Sequence, residues 1–226
     1  MSYYLDLHLT DYRFCYDVQQ HAVAQRNSGD LDRDLFIITE HNPVYTLGKR
    51  GGAQYFHVPP AFLEEKGIAV EHIERGGEVT YHGPNQLVLY PIFHLRENKM
   101  RVTDYVWHLE EVMIRICAHF GLTAVRNCKN PGVWTEDGKA KVGSIGIAIR
   151  HGVSFHGLAL NVCPDLEPFS WISPCGLSGV VGTSMEKELG KKVIMDDVKP
   201  VLQTVLHDLF GEMVELPQSH LLVHNI

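Results

Sequence analysis

No run of apolar residues in this 226-residue chain is long enough to cross a bilayer, so the membrane-spanning classes are set aside. The first residues, MSYYLDLHLTDYRFCYD, lack the basic opening, apolar centre and small-residue cleavage site of a secretory signal. Cysteine is sparse: Cys15, Cys117, Cys128, Cys163 and Cys175 are odd in number and show no paired spacing. Reduced thiols in a cytoplasmic protein fit this better than a disulfide framework. Neither HExxH nor CxxC occurs, so a metal site has little support and no cofactor is expected. Positive charge is also in deficit. The formal charge of -7 and pI near 6.0 argue against a nucleic-acid partner, which would favour a basic surface. There is no internal repeat, low-complexity tract or linker.

What is present centres on Lys141 to Cys175, KVGSIGIAIRHGVSFHGLALNVCPDLEPFSWISPC. Ile145, Ile147 and Ile149 alternate with Ser144, Gly146, Ala148 and Arg150, the period of a half-buried strand. His151-Gly152 tolerates positive φ and signals a hairpin turn, after which Val153 to Val162 resumes as a second strand. Gly157 inside that strand marks close approach by a ligand or by another backbone. In Ser173-Pro174-Cys175-Gly176, proline keeps Ser173 out of the helical region and Gly176 permits a reversal, so Cys175 is expected on a constrained corner. A thiolate there is a nucleophile if a basic group generates it.

Around this centre, Thr10 is expected to cap a helix to about Asn27, stopped by Gly29, with a strand from Leu35 to Thr39 after it. Pro59 and Pro60 open a short helix to Lys66, and a strand then enters Arg75-Gly76-Gly77. Strands follow near Val79 to Tyr81 and from Leu87 to Phe93, with His82 to Asn85 as the turn between them. Val106, Leu109, Met113, Ile116 and Phe120 share one face of a helix starting at Thr103. Asp137-Gly138 predicts a type I′ hairpin with Lys141 just inside its second strand. Thr183 and Glu186 match capping-box spacing, and the apolar period from Asp196 to Phe210 predicts a last helix. Strands and helices mix without βαβ alternation, which predicts an α+β fold with a mixed sheet.

Three segments together resemble the octanoyltransferases of lipoate biosynthesis: RGGEVTYHGPNQLVLYPI (Arg75 to Ile92), KVGSIGIAIRHGVSFHGLALNV (Lys141 to Val162) and SPCGL (Ser173 to Leu177). The resemblance implies one catalytic domain over residues 1–226, similar to that of biotin protein ligases and lipoate ligases. It implies Cys175 as nucleophile and Lys141 beside it. Lysine stabilises a thiolate as a charged partner, or acts as a base if burial depresses its pKa; both readings stand here. The resemblance also places Arg75, Gly76, Gly77, Glu78, Val79, Thr80, Tyr81 and His82 on one substrate-binding wall. Ser144, Ile145, Gly146, His156, Gly157, Leu158 and Ala159 form the opposing wall, and the two histidines serve as proton carriers or orienting groups. Asn85 departs from the glycine usual after His-Gly-Pro; asparagine tolerates positive φ, so the turn is expected to survive.

The implied reaction moves an octanoyl group from octanoyl-acyl carrier protein, through an acyl-cysteine, to a lysine of a lipoyl domain. The implied acceptors are glycine-cleavage H protein and 2-oxoacid dehydrogenase E2 subunits, with neither nucleic acid nor membrane as partner. The rival within the superfamily is an ATP-dependent lipoate- or biotin-type ligase, which needs no cysteine nucleophile. A cysteine hydrolase, passing the acyl group to water, is a second rival. A non-catalytic module that binds carrier or lipoyl domains is a third.

Overall fold

The computed structural model describes residues 1–173 and 180–217. Its helices are α1 (Tyr12–Ser28), α2 (Pro60–Glu65), α3 (Val102–His119), α4 (Met185–Leu189) and α5 (Met195–Phe210). Ahead of α3 its strands are β1 (Ser2–Thr10), β2 (Leu35–His41), β3 (Val44–Leu47), β4 (Ala69–His72), β5 (Val79–His82) and β6 (Gln86–Ile92). Beyond it come β7 (Ala124–Arg126), β8 (Gly132–Thr135), β9 (Ala140–Arg150), β10 (Val153–Asn161), β11 (Val181–Gly182) and β12 (Met213–Glu215).

A large mixed sheet runs β12-β1-β2-β6-β10-β9-β8-β7, with β11 added in parallel to β9. A small sheet, β4-β3-β5, stands apart from it. The expected α+β fold with mixed sheets packed by helices is what forms. Strand alternation decides what covers each face of the large sheet. Phe36, Ile38, Leu87, Leu89, Leu158 and Leu160 pack with Leu109, Met113, Leu202 and Leu206 of α3 and α5. Their neighbours Ile37, Val88, Tyr90 and Ala159 pack instead with Cys15, Val18 and Ala22 of α1. A third cluster, with Tyr45, Leu47, Leu63, Val79 and Tyr81, fills the small sheet.

Local chemistry departs from the sequence expectation at three places. Asp11, rather than Thr10, caps α1: its carboxylate accepts from the backbone N–H of Arg13 (2.8 Å) and of Phe14 (3.2 Å). Thr10 is instead the last residue of β1. Ser184, rather than Thr183, caps α4 by accepting from Lys187 N–H, because Thr183 turns its hydroxyl to Glu188 Oε1. The 137–138 turn is not type I′. Gly138 has φ +70 but Asp137 does not enter positive φ, since its carboxylate already collects Thr135 Oγ1 and Lys139 N–H. At 151–152 both residues do adopt positive φ, +52 and +95, and the expected tight hairpin forms.

Candidate active site

The two sheets face one another across a cleft whose empty space, counted out to its open mouth, is about 590 Å³. Residues Arg75 through Thr80 and His82 line it from the small-sheet side. Lys141, Ser144 through Gly146 and His156 through Ala159 line it from β9 and β10. Segments far apart in sequence thus meet across one cleft. The walls are tied directly, Gly76 N–H donating to Ile147 O at 3.0 Å. Tyr81 is the exception. Alternation along β5 sends Thr80 and His82 to the cleft and Tyr81 to the opposite side, where its ring lies 5.3 Å from those of Tyr45 and Phe169.

Arg75 is a buried cation whose guanidinium bonds both to backbone carbonyls and to the Thr46 hydroxyl. It donates to Thr46 Oγ1 (2.8 and 3.2 Å), to Thr46 O and to Gly76 O (2.9 Å). These charge-assisted bonds pin the glycine segment to β3. Glu78 at the rim is held by the exposed Arg50 at 2.9 Å.

Lys141 is buried, and its Nζ donates to Pro131 O at 3.0 Å while lying 5.2 Å from the Trp134 ring centroid. The β8–β9 pairing shifts register between Val133 and Trp134, which brings Trp134 opposite Lys141. On its other side, Gly182 of β11 pairs with Lys141. Cys175 lies outside the described residues.

His156 shows how the cleft overrides the strand rule. Its φ is +54, an uncommon conformation for a residue with a side chain. Simple alternation would put it with Ser154 toward Tyr105 of α3. The twist instead carries its ring to the α1 side, stacked 5.8 Å from Tyr16 and edge-to-face with Tyr90 at 6.2 Å. The strand ladder explains why this is possible. β6 pairs with β10 only from Leu158 onward, and Gln19 of α1 takes the His156 N–H at 2.8 Å.

Three buried imidazoles, those of His41, His82 and His156, therefore gather with Tyr12 and Tyr90. Burial, with smaller contributions from neighbours, pushes His41 down to about 4 and His82 to about 3, and lowers His156. All three are neutral at pH 7. Glu74 stays ionised, held at about 2 by His156 facing it at 3.8 Å and by the Tyr16 hydroxyl. Tyr12 stacks on His82, with ring planes 9° apart, and among the described residues its hydroxyl has no hydrogen-bond partner. Tyr12, Ile73 and Tyr90 line the cleft as well; Tyr12 and Ile73 fall outside the three signature segments, and Tyr90 falls inside the first without being singled out by it. Among the described residues, no three His, Cys, Asp or Glu side chains converge as metal ligands would. No described helix is long and apolar enough to cross a membrane.

A family model for the lipoyl protein ligase A/B catalytic domain matches residues 11–207. An octanoyltransferase from Desulfotalea psychrophila is 61% identical over 220 residues, covering 97% of this chain and 99% of that protein. The chain belongs to the octanoyltransferase family. Octanoyltransferases share their fold with lipoate ligases, and the solved structures agree. A lipoate-protein ligase A bound with ATP superposes with a TM-score of 0.75 at 17% identity, covering 96% of this chain and 90% of the other. A bi-partite lipoate protein ligase from Thermoplasma acidophilum, described with its E2 lipoyl domain, gives the same score and identity over 96% and 88%. At such identity the likeness is one of fold. Within the octanoyltransferase cleft described above, the chemistry on offer is a buried lysine, neutral imidazoles and a glycine-rich backbone.

Proposed function

We propose that this chain transfers an octanoyl group from octanoyl-acyl carrier protein to a lysine of a lipoyl domain in protein lipoylation, with Cys175 as nucleophile and Lys141 as its partner. The 61% identity to an octanoyltransferase over nearly the full length carries this reading. The ladder supports the pairing of roles: Gly182, seven residues after Cys175, is the strand partner of Lys141.

The Cys175 sulfur attacks the thioester carbonyl, its C–S bond forms, and the carrier leaves as a thiol carrying the proton taken from Cys175. The acceptor amine then attacks the acyl-cysteine, an amide forms, and the sulfur regains a proton. Both acyl donors are thioesters, so the group arrives activated and ATP is not consumed. Lys141 acts through its position, stabilising the thiolate. Residues Arg75 through Thr80, His82, Ser144 through Gly146 and His156 through Ala159 hold the acyl group between the walls. The acceptors are lipoyl domains such as glycine-cleavage H protein and 2-oxoacid dehydrogenase E2 subunits, and the reaction belongs in the cytoplasm.

Intact-mass measurement after incubation with octanoyl-carrier protein and no ATP tests this. Wild type gains one octanoyl group and Cys175→Ala gains none; the adduct is then lost to a lipoyl domain. An adduct that persists in Cys175→Ala, or octanoylation that requires free acid and ATP, overturns the reading.

A further inference from the structure

A chain of amide side chains runs behind the cleft from His82 to the strand that carries Lys141. Gln86 Nε2 donates to Tyr81 O at 3.2 Å and to Asn161 Oδ1 at 2.8 Å. Asn161 Nδ2 donates to Thr183 O at 2.8 Å, and Thr183 N–H donates to Lys141 O at 3.0 Å. His82 Nδ1 lies 2.7 Å from Gln86 Oε1. Gln86 and Asn161 are both buried.

The two backbone carbonyls fix every orientation in this chain. Tyr81 O and Thr183 O accept only, so each faces an amide NH₂. The Gln86 oxygen must then face His82, and an amide oxygen accepts only. His82 Nδ1 is therefore the nitrogen that carries hydrogen, and in the neutral ring Nε2 holds a lone pair. Within the described residues Nε2 makes no hydrogen bond, although His82 lines the cleft.

We propose that Gln86 and Asn161 are positioning residues that lock His82 in its Nδ1–H form, so that Nε2 accepts a hydrogen bond from the attacking amine of the acceptor lysine. This rests on the transfer reaction proposed above. His82 stands on the small-sheet wall, across the cleft from Lys141, which is assigned to the sulfur. The hydrogen bond aims the amine's lone pair at the acyl carbonyl. As the C–N bond forms and the C–S bond breaks, the amine's proton ends on the Cys175 sulfur; His82 orients it and does not keep it.

Long-range nitrogen NMR of the full chain labelled with ¹⁵N-histidine tests the lock without reference to turnover. Wild type is expected to show His82 with a protonated Nδ1 and a bare Nε2. Gln86→Met, which removes the acceptor, should give mixed tautomers and slow transfer to a lipoyl domain in proportion to the fraction of rings that leave the Nδ1–H form, roughly severalfold. Octanoylation of Cys175 in the same variant should fall less than transfer does, because His82 is assigned to the acceptor amine and not to the sulfur. A protonated Nε2 in wild type overturns the proposal by itself, even if Gln86→Met does not fold. So does Gln86→Met with an altered tautomer and unchanged transfer. Failure of wild type to acquire any octanoyl group would instead defeat the transfer reading and leave the tautomer result to stand on its own.

Discussion

The Nζ of Lys141 donates to the carbonyl oxygen of Pro131 at 3.0 Å, and Gly132, the next residue, is packed against the same side chain. A Cβ at 132 would lie 2.7 Å from Lys141 Cε and 2.5 Å from Gly143 O, at a backbone φ of +131. Gly132→Ala therefore does two things: it forces a strained backbone and displaces the lysine stem. Octanoylation of Cys175 in Gly132→Ala is expected to fall by roughly tenfold or more, since a displacement on the order of 1 Å is costly at a reacting centre. Lys141→Arg should fail as well, because the cavity between Pro131, Gly132 and Trp134 fits a slim stem. Rates of adduct formation by mass spectrometry check both, and wild-type rates in Gly132→Ala would contradict the packing argument.

Stability should decline on mild acidification. His41 and His82 sit at about 4 and about 3, below the roughly 6.5 of an unfolded chain. Their contribution is fully present above 6.5 and is lost as pH falls, because the unfolded chain takes up protons that the folded rings refuse. Each ring costs about 1.4 kcal/mol per pH unit over that range, so the two together cost about 4 kcal/mol by pH 5. His156 acts in the same direction. His41 also fixes its own tautomer, with Nδ1 directed at Thr10 O (3.3 Å) and Nε2 accepting from the Tyr90 hydroxyl (2.9 Å). Urea midpoints at pH 7 and pH 5 measure the loss; a flat profile would mean that the rings protonate without penalty.

Much of the fold is readable from the residues, and the failures have physical causes. The 140–162 hairpin, α3 and α5 announce themselves because each buries a face with a single strong period. β1 carries the same kind of signal in Leu5, Leu7 and Leu9 but is interrupted by His8, at φ +54, where its pairing with β2 slips register. β12 has three residues and exists because β1 offers an edge. In the site, the contiguous walls are legible through their motifs. Tyr12 lies outside those motifs, and Tyr90, Gln86 and Asn161 lie inside them unmarked, because each is an ordinary core residue until sheet order and α1 bring it to the cleft or just behind it. That His156 lines the cleft is legible from its segment, but its reversal out of strand alternation is not. The expected Cys175 corner falls outside the described residues.

Asn85, where the resemblance leads one to expect glycine, adopts φ +63. Its N–H donates to Glu40 Oε2 at 2.7 Å and its carbonyl accepts from Cys163 N–H at 3.1 Å, so the turn is fastened on both sides. Asparagine and glycine both enter this region, whereas alanine is opposed by its Cβ. Asn85→Gly should lie within about 0.5 kcal/mol of wild type, and Asn85→Ala should lose about 1 kcal/mol. Equal stability of the alanine and glycine variants in denaturant titration would show that the turn can relax.

A glycine at 157 signals the approach of a ligand or of another backbone, and it is backbone that approaches. A Cβ there would lie 2.2 Å from Leu89 O and 2.8 Å from Pro91 Cδ on β6. Room has to come from separating β6 and β10 where Leu158 pairs with Leu89, at the centre of the large sheet. Gly157→Ala is expected to cost about 2–3 kcal/mol, the upper range for overpacking a filled site. The same shift moves His156 on one side and Leu158 and Ala159 on the other, all of which line the cleft. Octanoyl transfer should therefore fall even at temperatures well below the variant's unfolding midpoint. Denaturation and transfer assays on one preparation separate the two effects, and a variant as stable and as active as wild type would show that the strands can part there without consequence.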